Sequence, residues 1–91
     1  MNQQQDDKMT QVQFLNMVLG DQVQHIYKNG AFITDIRYYE YKVNLFLLNG
    51  NYFEVFINHK SVEITKISPL NYKSNRILFY LDQVKLPKPQ V

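Results

Sequence analysis

Any chemistry in this chain must come from two histidines, eight carboxylates and seven tyrosines, because it has no cysteine and no tryptophan. The missing thiols exclude a disulfide framework, a cysteine-ligated zinc site, an iron–sulfur cluster and a thiol nucleophile. His25 falls in a helical stretch and His59 in a turn. Two histidines alone make a poor metal site. A catalytic base needs a partner within hydrogen-bond reach. The expected roles are therefore a helix-flank His25 and a solvent-exposed His59, with no metal site.

Asp35, Glu40, Glu54, Glu63 and Asp82 are the remaining candidates for acid–base work. Glu54 and Glu63 fall on one face of the strand pattern, and paired carboxylates in a dry pocket can do such work. They lie beside Arg37, Lys42 and Lys66, which predicts solvated ion pairs contributing only ~0–1 kcal/mol each. The three glycines, Gly20, Gly30 and Gly50, are isolated, so there is no phosphate loop and no dinucleotide fingerprint. No nucleophile elbow occurs, and Ser61, Ser68 and Ser74 read as turn or loop serines. No catalytic residue and no cofactor site are expected, and the chain is read as a non-enzyme.

Tyrosine is the unusual component. Tyr38, Tyr39 and Tyr41 cluster with Arg37 and Lys42 at one predicted turn. Tyrosine and arginine are enriched at interface hot spots, and aromatic rings stack on unpaired bases. Sheet-edge tyrosines with buried rings and wet hydroxyls account for the same cluster. The RNP1 pattern of an RNA-recognition domain is absent, since Tyr52-Phe53-Glu54-Val55-Phe56 carries an acid where a basic, glycine-containing motif belongs.

These side chains must be held by one domain. A chain of 91 residues and 10.9 kDa has no room for two cores, and it buries about 65% of the surface its unfolded form exposes. Hydrophobic content of 45% and charged content of 20% exclude collagen, coiled coil and wholesale disorder. The net charge of +2 is spread over eight Lys and two Arg from Lys8 to Lys88, so charge selects no partner. The longest apolar run is Leu45–Leu48, which predicts no membrane span. Met1–Asp7 is polar and acidic, without the basic and apolar regions of a secretory signal, so a cytoplasmic location is expected. Residues 1–9 read as a frayed terminus, 10–86 as a single α+β domain and 87–91 as an extended, proline-rich tail.

Residues 10–28 carry a helical stripe of Val12, Leu15, Leu19, Val23 and Ile26. Thr10 and Gln13 fit a capping box, and Asn29-Gly30 fits a left-handed stop. The stripe runs in phase through Gly20 and predicts a continuous or kinked helix. Two helices broken at Gly20, with Asp21 as cap, are the alternative.

From Ala31 the period becomes two. Strands are predicted at 31–39, 41–48, 52–58 and 61–67, joined by short turns into an antiparallel meander. Asn49-Gly50 suggests a two-residue turn. That turn sets Leu45 opposite Glu54 and Asn44 opposite Val55, and mixes both faces. A three- or five-residue loop, with Gly50 at positive φ, pairs Leu47 with Phe53, Leu45 with Val55 and Val43 with Ile57, and makes one face wholly apolar. The longer loop is therefore predicted. The next hairpin then turns at Asn58–Ser61 and pairs Ile57 with Val62. Residues 74–84 read as a short helix capped by Ser74, with Ile77, Leu81 and Val84 on one side. A fifth strand over Arg76–Leu81 is the alternative.

The expected fold is thus two-layer α+β, an N-terminal helix on a four-stranded meander with a short C-terminal helix. Phe32, Ile36 and Ile64 complete the expected core. In the predicted register, Ile33, Phe46, Leu48, Tyr52, Phe56 and Ile67 gather at the apolar end of the second sheet face, which needs a cover. This predicts a protein-interaction module, homodimeric through that face. Single-stranded nucleic-acid binding by Arg37, Tyr38, Tyr39, Tyr41 and Lys42 is the alternative. A small ligand held between helix and sheet is a third reading.

Overall fold

Thr10 starts the first helix, α1 (Gln11–Leu15), through the predicted capping box: Gln13 N–H donates to Thr10 Oγ1 at 3.0 Å and Thr10 N–H to Gln13 Oε1 at 2.9 Å. These contacts come from a computed structural model that describes residues 9–83. The rest of the expected frayed terminus, Val84 and the extended tail lie outside the described residues. The helix is not continuous, and the break falls ahead of Gly20. It ends at Asn16, Val18 is extended, and α2 spans Leu19–Asn29. The break swaps which side chains are buried. Phe14 is fully buried, while Val12 and Leu15 of the expected stripe are exposed. Burying a phenylalanine is worth about 1.5–3 kcal/mol. The Phe14 carbonyl accepts from Met17 N–H at 3.1 Å and from the buried Gln22 side chain at 3.0 Å, so the break leaves no orphan there.

α2 keeps the predicted periodicity, with Ile26 buried and Leu19 and Val23 packed on the same core. It ends at Gly30, but not in the left-handed conformation expected. Gly30 is extended, with φ −87° and ψ 164°. Glycine is needed there for another reason. A Cβ would sit 2.7 Å from the Ile26 carbonyl oxygen and 3.4 Å from that of Leu47.

The sheet is the expected antiparallel meander, β1 (Ala31–Tyr38), β2 (Tyr41–Leu48), β3 (Asn51–Asn58) and β4 (Ile64–Pro69), in that spatial order. Its register is the one the sequence reading rejected. Asn49 (φ 51°) and Gly50 (φ 83°) form a two-residue turn, so Leu48 faces Asn51, Leu45 faces Glu54 and Asn44 faces Val55. No wholly apolar face results, because each face has a cover of its own. Phe46, Leu48, Phe53, Val55 and Ile67 pack beneath α1 and α2. Val43, Leu45 and Phe56 pack on the other side against α3 (Arg76–Gln83), through Ile77 and Tyr80. The segment from 76 is thus a helix and not a fifth strand, and it covers the second face from within the chain. Ser74 Oγ accepts from Arg76 N–H at 3.2 Å at its start.

Two irregularities move further side chains. A bulge between Phe32 and Thr34 inserts Ile33 opposite β2, so Phe32 lies on the α2 side and Ile36 and Tyr38 on the α3 side. Phe32 is therefore 55% exposed and not a core residue. The third hairpin is longer than predicted. Ile57 faces Ile64, and Val62 is an exposed turn residue at φ 62°. No helix among the described residues is long and apolar enough to cross a membrane.

Candidate interaction surface

The candidate residues are split by the sheet they were expected to share. Phe46, Leu48 and Ile67 are buried under α1 and α2. Phe56 is buried on the α3 side, with Ile33 and Tyr52 packed partly against the same cluster. The single second face assembled from these six residues does not exist, because the two-residue turn shifts β2 against β3.

The tyrosine patch is split likewise. Tyr38 and Tyr41 lie on the α3 side. Alternation along the strands puts Arg37 and Lys42, which face each other, on the other side. Tyr38 already stacks below the Arg76 guanidinium, 5.1 Å from its centroid, and Tyr41 meets Phe56 edge-on at 5.6 Å. Lys42 pairs with Asp35 at 3.6 Å across β1 and β2. Of the three tyrosines only Tyr39 is exposed, at 80%, in the turn between β1 and β2.

Glu54 differs most from its expected role. It is completely buried and holds α3 to the sheet. Arg76 grips it with two bonds, Nε to Oε2 at 2.8 Å and Nη2 to Oε1 at 2.9 Å, and Tyr80 O–H donates to Oε2 at 2.8 Å. The hydrogen bond to Glu54 holds the Arg76 pKa above its ordinary value. Burial, and then the charge of Glu54, push the Tyr80 pKa up. Three donated bonds fix this carboxylate as a fastener. Glu54 lies on the second face in either register; the cover supplied by α3 is what buries it and turns a surface acid into a fastener. The signal for Arg76 and Tyr80 was their spacing of four, which places both on one side of a helix.

The other polar groups stand apart. His25 Nδ1 lies 3.2 Å from the Asn29 amide, and His59 is exposed in its turn. Met17, Asp21, Gln24, His25, Lys28 and Asn29 line an open groove along α2 of about 330 Å³. Beneath α1, the void between Phe14, Leu48 and Phe53 holds about 10 Å³, at the limit for one water molecule. No group of three or more metal-ligating side chains occurs among the described residues.

With both faces covered, the sheet is left with its two edges. β4 is the shorter and ends in Pro69, which has no N–H to donate. β1 is eight residues long and, among the described residues, its outer side has no neighbouring strand. Beside it runs a line of rings that the sequence reading missed. Tyr27 on α2 packs on Phe46 at 4.9 Å, and Phe46 on Phe32 at 5.8 Å. The middle ring is buried, while Tyr27 is 47% and Phe32 55% exposed. The bulge turns Phe32 to this side, and a bulge has no signature in the two-residue period.

Comparison of the chain with known protein families, with curated proteins and with solved structures finds no match.

Proposed function

We propose that this chain is a non-enzymatic protein-interaction module that self-associates through the β1 edge and the Tyr27–Phe32 flank. The observation that carries the reading is the contrast in cover. The chain's own helices occupy both sheet faces, while β1 leaves backbone donors and acceptors and two large rings open. An open strand edge is a template for pairing with another strand. Exposed aromatics beside it add the apolar contact that such pairing needs. Glu54, the one fully buried acid among the described residues, is engaged in holding α3. This interaction surface replaces the sheet-face interface expected from the sequence.

Absolute mass by light scattering on a sizing column tests the proposal. The expected result is a dimer for the natural chain and a monomer for Phe32→Glu, with the same circular dichroism. Phe32 is half-exposed, so its loss leaves the core intact. A monomeric natural chain, or a Phe32→Glu variant that remains dimeric, sinks the reading.

A further inference from the structure

The edge of β1 also specifies how a second copy would pair with it. In an antiparallel ladder successive residues turn their backbone groups alternately to the two neighbours. The β2–β3 pairing is closed by the two-residue turn at Leu48 and Asn51, and His59 N–H donates to the Glu40 carbonyl at 2.8 Å. The even-numbered residues of β2 therefore bond to β3, and the odd-numbered ones, Tyr41, Val43 and Leu45, bond to β1. Their partners are Tyr38, Ile36 and Thr34. This leaves the N–H and C=O groups of Asp35 and Arg37 aimed outward.

We infer that two copies pair β1 against β1 about a twofold axis at Ile36, with Asp35 of each copy opposite Arg37 of the other. This rests on the self-association reading above and gives it a register. Three observations select it. First, parity: outward-facing residues must pair with outward-facing residues, so the axis falls on a residue and not between two. Second, charge: an axis at Asp35 sets two carboxylates face to face, and an axis at Arg37 sets two guanidinium groups face to face. An axis at Ile36 makes two opposite-charge pairs, and Arg37 has no ion-pair partner among the described residues. Third, length: the regular part of β1 runs from Thr34, after the bulge, to Tyr38, before the turn at Tyr39 (φ 57°), and Ile36 is its midpoint. An axis at Thr34 would put the bulge in the seam.

The same register sets Tyr39 of one copy opposite Ile33 of the other. The 80% exposed tip ring then meets the bulge where Phe32 is 55% exposed. α3 lies over β1, so its exposed Leu78 and Phe79 sit on the helix that flanks the seam. The result is a continuous eight-stranded sheet.

Charge reversal tests the register. Arg37→Asp is the cleaner single variant, since it sets a carboxylate beside Lys42 within its own chain. In a dimer its new carboxylate meets Asp35 of the other copy. The Asp35→Arg variant instead sets a new guanidinium against Arg37 of the other copy. Each single variant is expected to raise the dissociation constant about ten- to a hundredfold, from the size of cross-strand charge pairs. An equimolar mixture of the two, or the double variant Asp35→Arg/Arg37→Asp, restores opposite charges at both positions and is expected to dimerise like the natural chain. Sedimentation velocity gives the mass in each case.

Single variants as dimeric as the natural chain overturn the register, as does a mixture that stays monomeric. If the natural chain is a dimer that Phe32→Glu abolishes, that failure touches the register alone. A monomeric natural chain removes self-association as well.

Discussion

At the scale of single residues, Asn44 and Gly30 are decided by their close surroundings. Asn44 is 9% exposed, its Nδ2 reaches the Tyr27 hydroxyl at 3.4 Å, and its Oδ1 has no partner. A buried amide oxygen without a hydrogen bond costs about 1–3 kcal/mol. Asn44→Leu removes that cost, and the Tyr27 hydroxyl is exposed enough to bond water instead. The expected outcome is a higher urea midpoint, by about 1 kcal/mol of stability. A lower midpoint would show that the amide is satisfied in solution. Gly30→Ala tests the opposite case. Its new methyl meets the backbone oxygen of Ile26 at 2.7 Å, and backbone yields less readily than a side chain. The midpoint is expected to fall, with a loss of about 1–3 kcal/mol of stability. An unchanged midpoint would mean that the α2–β1 corner can relax. Neither effect was legible in the sequence. Asn44 entered the sequence reading only as a register partner of Val55, and Gly30 was expected to be a left-handed stop. Both depend on which strand backs onto which, and local spacing does not encode that.

At the scale of elements, helices and strands were legible as periods, while their partners depended on what else the chain supplies. The capping box at Thr10, the four-strand order and the helix after Ser74 follow from local pattern. The register did not. Demanding one wholly apolar face overrode the Asn49-Gly50 turn signal, and that demand applies only to a sheet covered on one side. Once α3 covers the second face, both faces are buried, neither has to be wholly apolar, and the local turn prevails. The fastener of α3 carries two predictions. Removing one partner of a buried ion pair costs about 3–5 kcal/mol. Glu54→Gln is expected to lose about that much, measured by chemical unfolding. Replacing all three partners, as Glu54→Leu/Arg76→Met/Tyr80→Phe, is expected to cost less than Glu54→Gln alone, because no charge is stranded. A triple variant weaker than the single would show that the network contributes net stability. The second prediction concerns pH. The pKa of Tyr80 is raised above its ordinary 10.0, mainly by burial, so the folded state holds a proton that the unfolded chain releases. The stabilisation is complete below pH 10 and is lost as pH rises beyond it. Stability is expected to fall above pH 10, and less steeply in Tyr80→Phe. Equal slopes for the two proteins would show that Tyr80 does not carry the effect.

At the scale of the whole molecule, the sheet is a wall shared by two half-cores. Phe14, Ile26, Phe46, Phe53 and Val55 fill one side, and Val43, Leu45, Phe56, Ile77 and Tyr80 fill the other. Burying Val43, Leu45 and Phe56 is worth about 4.5–9 kcal/mol together, at 1.5–3 kcal/mol each. A domain's entire stability is about 5–15 kcal/mol. Losing the cover over that side therefore removes most of what keeps the chain folded. Glu54 would also face solvent across an apolar surface without Arg76. A chain ending at Leu70, which keeps the Leu70 N–H bond to the Tyr52 carbonyl at 2.9 Å, is the direct test. It is expected to bind a hydrophobic dye, unfold without a cooperative transition and self-associate through the uncovered side. That association would differ from pairing at the β1 edge, because Arg37→Asp should leave it unchanged. A truncated chain that associates no further than the full-length one and unfolds cooperatively would show that the helical half-core under α1 and α2 stands by itself.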